Sequence, residues 1–225
     1  MWKDFVDMLY PRSCAGCETV LVKNEELICT SCRLDLPTTD YHLFPDNELS
    51  KRFYGKLPIA HTMAYLKFVK KGKAQKIIHN LKYHGEEKIS YQFGRWYGRE
   101  LLKSESYQQF DLIAPVPLHK KRLGQRGYNQ AEGFAQGLSE VLDIPWSKEL
   151  LIRTVASTTQ TKKRSFERWL NVEKIFEVAQ PALVLGKHVL LVDDVITTGA
   201  TFEACAKKLL DSQCGKVSIA AIAAA

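Results

Sequence analysis

The 225-residue sequence lacks the features that mark several broad classes of protein. Its longest uncharged apolar stretch, residues 217–225, is well short of the ~18–20 residues that cross a bilayer. The first residues do not form the apolar run of a signal peptide, so we expect a cytoplasmic protein. The P-loop pattern and the Gly-x-Gly fingerprint are both missing, which excludes two common nucleotide-binding motifs. With 45% hydrophobic and 25% charged residues, the composition is that of a globular chain.

Acidic residues are also absent from the long window between Glu48 and Glu86. The net charge of +7 is uneven: residues 1–50 carry 4 basic and 9 acidic residues, whereas residues 51–100 carry 12 basic and 3 acidic residues. Lysines neutralise phosphates and aromatic rings stack on unpaired bases, so a basic window with interspersed aromatics suits single-stranded nucleic acid. A solvated lysine face above aromatic core residues explains the pattern equally well. The candidate nucleic-acid contacts are Lys67, Lys70, Lys71, Lys73, Lys76 and Lys82.

Four of the six cysteines lie close together near the N-terminus. Cys14 and Cys17 form one C-x2-C pair, and Cys29 and Cys32 form a second pair after eleven intervening residues. Two such pairs can supply four thiolates to one tetrahedral zinc ion, which leaves no open position for catalysis. Disulfide bonds are the alternative, and the lack of a secretion signal disfavours them. We therefore predict a structural zinc ribbon whose folding energy comes largely from the metal.

A second motif follows the apolar run 189–192, which predicts a buried parallel strand. Asp193 and Asp194 come directly after this run, at the strand end where open α/β sheets bind ligands. A turn that opens a helix then contains Thr197, Thr198, Gly199, Ala200 and Thr201. Free N–H groups at a helix start bind phosphate, so this turn beside two carboxylates suits a sugar phosphate. An acidic strand end with an ordinary helix cap is the structural alternative.

Strand-like and helix-like patterns alternate over most of the chain, which predicts an α/β fold with a parallel sheet covered on both faces. The predicted strands are 59–66, 112–116, 188–192 and 217–222, and the predicted helices are 73–83, 87–102, 129–142 and 201–210. In the second helix, Trp96, Leu101 and Leu102 are expected to face the core. The predicted domains are a zinc ribbon with a short N-terminal helix at 1–37, a linker at 38–58 and an α/β domain at 59–225.

Residues 193–201 resemble the phosphoribosyl pyrophosphate (PRPP) motif of type I phosphoribosyltransferases. Residues 114–132 and 153–172, together with the four cysteines, resemble the ComF family of competence proteins over nearly the whole chain. The resemblance implies a type I phosphoribosyltransferase-like parallel sheet flanked by helices behind the zinc ribbon. It also implies a role in natural transformation, in which the family handles incoming single-stranded DNA with a ComFA-type helicase at the inner face of the membrane. Type I folds often form homodimers.

The resemblance assigns roles to the PRPP motif by position. Asp193 and Asp194 would bind the ribose hydroxyls, and residues 197–201 would bind the 5′-phosphate. Purine-salvage relatives carry a general-base aspartate where Thr197 stands, so this departure argues against purine salvage.

Two other segments would contact the pyrophosphate of PRPP. The loop formed by Val116, Pro117 and Leu118 occupies the place of the family's pyrophosphate loop. A hood at 161–171 would close over the ligand, with Arg164 and Arg168 supplying cations. Mg²⁺ would arrive with PRPP or a related phosphate ligand and bridge its oxygens.

Three functions remain open from the residues. The first is a DNA-handling accessory protein that keeps a PRPP-type pocket. The second is an active phosphoribosyltransferase that transfers ribose 5-phosphate from PRPP to a nucleobase or another acceptor. The third joins them, with the pocket binding a nucleotide or a DNA 5′-phosphate. The zinc ribbon is also a candidate binding surface for the helicase.

Overall fold

The computed structural model describes residues 12–68, 72, 75–77, 87–104, 110–154 and 175–225. Its helices are α1 (Thr30–Leu34), α2 (Glu87–Leu101), α3 (Lys120–Arg126), α4 (Gln130–Leu142) and α5 (Ala200–Asp211). Its strands are β1 (Ile59–Lys67), β2 (Leu112–Pro115), β3 (Leu151–Arg153), β4 (Phe176–Val178), β5 (His188–Ile196) and β6 (Lys216–Ala224). Short 3-10 turns occur at Tyr41–Leu43, Ser50–Phe53 and Pro181–Leu183.

The central sheet is parallel and has the strand order β1-β6-β5-β2. The inner strands β5 and β6 pair from His188 with Lys216 to Ile196 with Ala224. Both contain long runs of apolar residues, which suit a strand that is covered on both faces. Because the four strands run in the same direction, their carboxyl ends meet at one edge of the sheet, where the residues after β5 begin their turn.

Alternate residues of β5 belong to two separate cores. Leu190 and Val192 lie in the core that also contains residues of α2 and α4. Val189 and Leu191 lie in the core that contains residues of α5. All four side chains are fully buried. The prediction of a parallel sheet covered by helices on both faces is therefore confirmed.

Glycines allow α2 and α4 to pack closely against each other. A Cβ atom at Gly94 would collide with the Phe134 carbonyl oxygen, and one at Gly137 would collide with the Tyr91 carbonyl oxygen. Both obstacles are backbone atoms, so either helix would have to move to accept a side chain. The close approach also lets the ring of Tyr97 stack on that of Phe134, with centroids 6.3 Å apart.

The cysteine-containing segment packs on α2 rather than standing apart from the domain. Cys32 and Trp96 belong to the same buried cluster. The Arg33 guanidinium lies over the Trp96 ring, 4.7 Å from its centroid. A second contact joins the ribbon to residues beyond β1, since Lys76 Nζ and a Glu18 carboxylate oxygen are 2.9 Å apart. The ribbon and the α/β domain therefore share one core.

Residues 38–58, predicted as a linker from composition, run along β1. The Thr39 N–H donates to the Tyr65 carbonyl at 2.9 Å. In the same segment, Leu49 and Phe53 are only 1% and 2% exposed and belong to the core beneath α5. The segment thus contributes side chains to the α/β core, while the boundaries at residues 37 and 58 stay a prediction.

The strand β5 differs most from its predicted bounds. It continues to Ile196 instead of ending at Val192, so Asp193 and Asp194 lie within its last residues. The ladder with β6 explains the difference, because backbone pairing extends to Ile196 despite the polar side chains.

The remaining predicted elements agree with the structure at most positions. Trp96 and Leu101 are buried as predicted, whereas Leu102 is 42% exposed because α2 ends one residue before it. The antiparallel pair β3–β4 and the helix α3 were not predicted. The predicted N-terminal helix and most of the predicted helix 73–83 lie outside the described residues. None of the helices in the described ranges has the length and hydrophobicity that crossing a bilayer requires.

Candidate functional site

The two C-x2-C pairs bring four sulfur atoms together. The Sγ atoms of Cys14, Cys17, Cys29 and Cys32 all lie within 4.8 Å of one another. Four thiolates bound to one zinc ion at ~2.3 Å would be spaced ~3.8 Å apart, so the cluster fits a tetrahedral site. All four are free thiols, and the sulfurs of Cys17 and Cys29 are 3.6 Å apart, which is too far for a disulfide bond. The cluster therefore favours the predicted structural zinc over the disulfide alternative.

Hydrogen bonds to the sulfur atoms are those expected around metal-bound thiolates. Cys14 Sγ accepts the Cys29 N–H at 3.2 Å, and Cys29 Sγ accepts the Cys32 N–H at 3.4 Å. A side-chain hydrogen bond with Thr19 lowers the pKa of Cys17 to about 6, which favours the thiolate at neutral pH. Burial raises the pKa of the Cys32 thiol. A divalent cation would offset that burial cost by stabilising the thiolate.

Two adjacent carboxylates lie near the carboxyl end of β5. Asp193 and Asp194 are half-buried, and Asp193 Oδ1 accepts the Asp194 N–H at 2.8 Å. Burial raises the pKa of the Cys205 thiol well above its ordinary value, and the negative charge of Asp193 raises it further. The pair thus presents ionisable oxygens at a sheet edge, where they can accept hydrogen bonds from ligand hydroxyls.

The turn between β5 and α5 depends on Gly199. This residue has φ +84°, in the left-handed region that other residues rarely adopt, and a Cβ there would lie 2.8 Å from Phe53 Cζ. The N–H groups that follow it open α5, and the first N–H groups of a helix have no acceptor within the helix. Thr197, Thr198, Ala200 and Thr201 are exposed. The turn therefore presents backbone and hydroxyl donors at the surface.

The predicted pyrophosphate loop lies beside the two carboxylates. The Val116 N–H donates to the Val192 carbonyl at 2.8 Å, and the Val116 carbonyl accepts from Asn129 Nδ2 at 3.0 Å. Pro117 has no N–H, so Leu118 provides the loop's remaining backbone donor. The structure thus brings Val116, Pro117 and Leu118 to the same sheet edge as the turn after β5.

Arg52 contacts the turn and was not identified from the sequence as part of it. Its guanidinium donates to the carbonyl oxygens of Ile196 at 3.4 Å, Thr197 and Ala225 at 2.7 Å. Its neighbour Phe53 packs over Gly199. Because Arg52 and Thr197 are separated by 145 positions, no local pattern could have revealed the contact.

Arg153 interacts electrostatically with both Arg122 and Asp193. The Arg153 guanidinium, at the end of β3, lies 5.2 Å from the centroid of the Phe176 ring. Burial lowers the pKa of Arg153, the positive charge of Arg122 lowers it further, and the negative charge of Asp193 opposes both. Both arginines occur in the segments that resemble the ComF family, but the sequence assigned no role to either.

The candidate nucleic-acid lysines are only partly described. Lys67 is exposed at the carboxyl end of β1, and its pairing partner Ala224 also pairs with Ile196 of β5. Lys76 is exposed and forms the ion pair with Glu18. The other candidate lysines, Lys70, Lys71, Lys73 and Lys82, lie outside the described residues. So do Arg164 and Arg168, the predicted cationic contacts to pyrophosphate.

Two family models match the chain. Residues 5–42, which include the cysteine cluster, match the double zinc ribbon domain. Residues 129–225, which include β5, its turn and α5, match the phosphoribosyl transferase domain.

Named relatives cover different shares of the chain. It is 30% identical over 205 residues to Competence protein ComFC of Bacillus subtilis (strain 168), covering 85% of this chain and 81% of that protein. It is 34% identical over 146 residues to DNA utilization protein YhgH of Escherichia coli (strain K12), covering 64% of this chain and 63% of that protein. The match therefore spans less than two thirds of the YhgH chain.

Part of the chain also aligns with the solved structure of glutamine phosphoribosylpyrophosphate amidotransferase from B. subtilis, complexed with ADP and GMP. It is 21% identical, with a TM-score of 0.42, and the alignment covers 58% of this chain and 25% of that chain.

Proposed function

This chain belongs to the ComF family of competence proteins, and from that premise we propose that it acts in DNA uptake during natural transformation. It would handle incoming single-stranded DNA in the cytoplasm, peripheral to the uptake machinery at the inner membrane, with a ComFA-type helicase as partner. Two relatives support this role by name, one a competence protein and the other a DNA utilization protein. The zinc ribbon is the proposed helicase contact, and homodimerisation is proposed from the fold class.

The pocket at the sheet edge would bind PRPP or a nucleotide. One observation carries this proposal: Asp193 and Asp194 are followed by a glycine-centred turn that opens α5, beside the loop 116–118. The carboxylates would accept hydrogen bonds from vicinal ribose hydroxyls, while the start of α5 would bind the 5′-phosphate. A ligand with a phosphate but no vicinal hydroxyls would use only part of this arrangement. A 5-phosphorylated ribose is therefore the ligand class that fits best.

Mg²⁺ would enter this pocket with the ligand, neutralising charge on pyrophosphate oxygens. On the protein side, the Leu118 N–H would donate to the pyrophosphate. Arg164 and Arg168 are the proposed cationic contacts to the pyrophosphate.

Calorimetric titration of PRPP tests the pocket directly. We expect Asp193→Asn and Asp194→Asn each to weaken PRPP binding about tenfold or more, because an amide loses the charge-assisted hydrogen bond to a hydroxyl. Asp211→Asn is the matched control, since Asp211 is exposed at the far end of α5. Unchanged affinity in both pocket variants, or no binding by the wild type, would contradict the proposal.

An active phosphoribosyltransferase is the alternative function. The charge interaction of Arg153 with Asp193 favours it, because a fixed cation stabilises the negative charge that develops on a leaving pyrophosphate. The measurement is pyrophosphate release from PRPP across a panel of nucleobases. Base-dependent release that is lost in Arg153→Gln would establish catalysis, whereas no release with any base would leave a binding role.

The proposed DNA surface begins near the pocket at Lys67, a described residue of the lysine window. Lys67 is two strands away from Ile196 across the sheet, a distance of about 10 Å at the usual strand spacing. A single strand bound along the lysine window would therefore approach the turn at residues 197–201, which we name the phosphate turn after its proposed ligand. Charge reversal tests this surface: Lys67→Glu, Lys70→Glu and Lys71→Glu should each weaken binding of single-stranded DNA and reduce its salt dependence.

The matched control for charge reversal is Lys148→Glu, at an exposed position outside the acid-free window. Anisotropy measurements at several salt concentrations should show no change in this variant. The DNA-contact proposal fails if the wild type does not bind single-stranded DNA at low salt. Competition between PRPP and DNA would place both ligands in one site.

A further inference from the structure

Arg52 contacts the turn after β5 only through backbone carbonyl groups. Its Nη1 donates to the oxygens of Ile196 and Thr197, and its Nη2 donates to the oxygen of Ala225 at 2.7 Å. These oxygens lie at the end of β5 and just beyond β6. One guanidinium therefore ties the beginning of the phosphate turn to the neighbouring strand.

The 3-10 turn that carries Arg52 is itself anchored to the sheet. Asn47 Nδ2 donates to the Thr62 carbonyl of β1 at 2.9 Å, and Asn47 Oδ1 accepts the Leu49 N–H at 2.9 Å and the Ser50 N–H at 3.2 Å. Leu49 itself is 1% exposed. The backbone that positions Arg52 is thus held by buried contacts on both sides.

The position of these carbonyls determines where the turn's N–H groups point. In a trans peptide unit, the C=O and the following N–H point in opposite directions. The Ile196 oxygen also accepts the Ala225 N–H at 2.9 Å, so the contact specific to Arg52 is the one with the Thr197 oxygen. Holding that oxygen toward Arg52 directs the N–H group of Thr198 away from it. The neighbouring residue Phe53 packs against Gly199 of the same turn, where an added Cβ would lie 2.8 Å from Phe53 Cζ.

We infer that Arg52 is a positioning residue for the 5′-phosphate subsite, which it serves by orienting the turn's peptide groups rather than by touching the ligand. This inference rests on the proposed function of the pocket. It also separates Arg52 from the lysines of the acid-free window, because both of its Nη atoms already donate to carbonyl groups. Arg52 should therefore affect phosphate binding and leave the affinity for single-stranded DNA unchanged.

The test compares two ligands that use different parts of the pocket. Ribose 5-phosphate needs the turn after β5, whereas inorganic pyrophosphate needs the loop 116–118. We expect Arg52→Gln to weaken ribose 5-phosphate binding about tenfold to hundredfold, the effect of losing hydrogen bonds from a charged group. Pyrophosphate affinity and the thermal midpoint should stay close to those of the wild type. Arg52→Lys keeps the positive charge but loses the planar set of guanidinium donors, so its loss of ribose 5-phosphate affinity should be intermediate.

Lys51→Gln is the matched control, because it removes the same charge from the exposed neighbouring position. It should bind ribose 5-phosphate as the wild type does. Wild-type affinity in Arg52→Gln would overturn this inference alone and leave the pocket proposal standing. Equal loss of both ligands with a lowered midpoint in both Arg52 variants would also overturn it, since that is a general loss of structure. If neither the wild type nor Lys51→Gln binds ribose 5-phosphate, the proposed function fails and this inference with it.

Discussion

The cysteine cluster and the phosphate turn are built in opposite ways. The cysteine cluster takes all its ligands from side chains within one short segment, and Cys17 meets Cys29 across only 12 positions. The phosphate turn relies largely on backbone groups, and Arg52 reaches it across 145 positions. The cysteine cluster thus depends on side chains that are close in sequence, whereas the phosphate turn depends on packing between distant segments of the domain.

This difference determines how each site can be damaged. A change in one cysteine removes a ligand that no neighbour can replace. A substitution at the phosphate turn leaves its backbone N–H groups in place, but it changes their direction or their mobility. Variants of the two sites should therefore fail in different ways, and the largest effect is expected at the cysteine cluster.

Cys29→Ser should abolish stoichiometric zinc binding and destabilise the protein by more than about 4 kcal/mol, because metal binding supplies folding energy. The ribbon shares a core with α2, so the midpoint of the whole domain should fall. The measurements are zinc content by mass spectrometry and urea unfolding. Below its midpoint, the variant should still bind PRPP, since the phosphate turn lies against the other core.

The control for this variant is Cys214→Ser. Cys214 is buried outside the cluster, and its thiol donates to the carbonyls of Lys187 and Lys216 at 3.1 Å, contacts that a serine hydroxyl can keep. Its zinc content should be unchanged. Full zinc content in Cys29→Ser would contradict the assignment of that cysteine as a ligand.

Gly137→Ala should destabilise the protein by about 3 kcal/mol, because its methyl group would collide with the Tyr91 carbonyl of α2. Gly124→Ala, at a helical position with open space around it, should be neutral or slightly stabilising. The measurement is the urea unfolding midpoint. Since α2 also carries the ribbon, zinc should be lost to chelators faster in Gly137→Ala, and equal chelation rates would contradict the shared core.

Gly199→Ala should destabilise by about 1–2 kcal/mol through its left-handed φ and should also weaken PRPP binding. Gly55→Ala has a similar φ of +70° with nothing near its Cβ, so it isolates the cost of backbone strain. Calorimetry and urea unfolding of both variants separate strain from the collision with Phe53. If the two variants lose the same stability and the same PRPP affinity, the collision with Phe53 contributes to neither effect.

Asp111→Asn should have the smallest effect, about 1 kcal/mol or less, because the side chain is largely exposed. The hydrogen bond from the His188 N–H lowers the pKa of Asp111 below its ordinary value of 3.8, and the charge of Lys187 contributes. A depressed folded-state pKa stabilises the protein above the ordinary value, and this stabilisation is lost as the pH falls through the folded-state value.

The unfolding midpoints of the wild type and Asp111→Asn should therefore differ at about pH 6 and converge toward about pH 3. A difference that stays constant over this range would refute the ionic origin of the stabilisation. Neither zinc content nor PRPP affinity should change, because Asp111 precedes β2 at the opposite edge of the sheet from the turn.

Local patterns in the sequence predicted the parts of the molecule that depend on local contacts. The spacing of the cysteines predicted the cluster, and the run at 189–192 predicted the central strand and the turn that follows it. Even here the strand end was misplaced, since pairing with β6 carries β5 on to Ile196. Propensity alone would end a strand at two aspartates, and the ladder overrides it.

Contacts between distant segments could not be predicted from the sequence. Residues 38–58 have the mixed polarity of a linker, yet Phe53 covers Gly199 and Arg52 binds the turn. The short pair β3–β4 was missed because three residues are too few to show a period. Arg153 lies in a segment that resembles the ComF family, but only the fold reveals its electrostatic interaction with Asp193.

The distance along the chain between Arg52 and its partners also sets an order of assembly. The four cysteines of the ribbon are synthesised together before Arg52 and its partners, and closing so short a loop costs little entropy. The partners of Arg52 at Thr197 and Ala225 are made 145 and 173 positions after it. A nascent chain can therefore capture metal long before its phosphate turn is braced. Zinc loading should therefore precede competence to bind the phosphorylated ligand during synthesis.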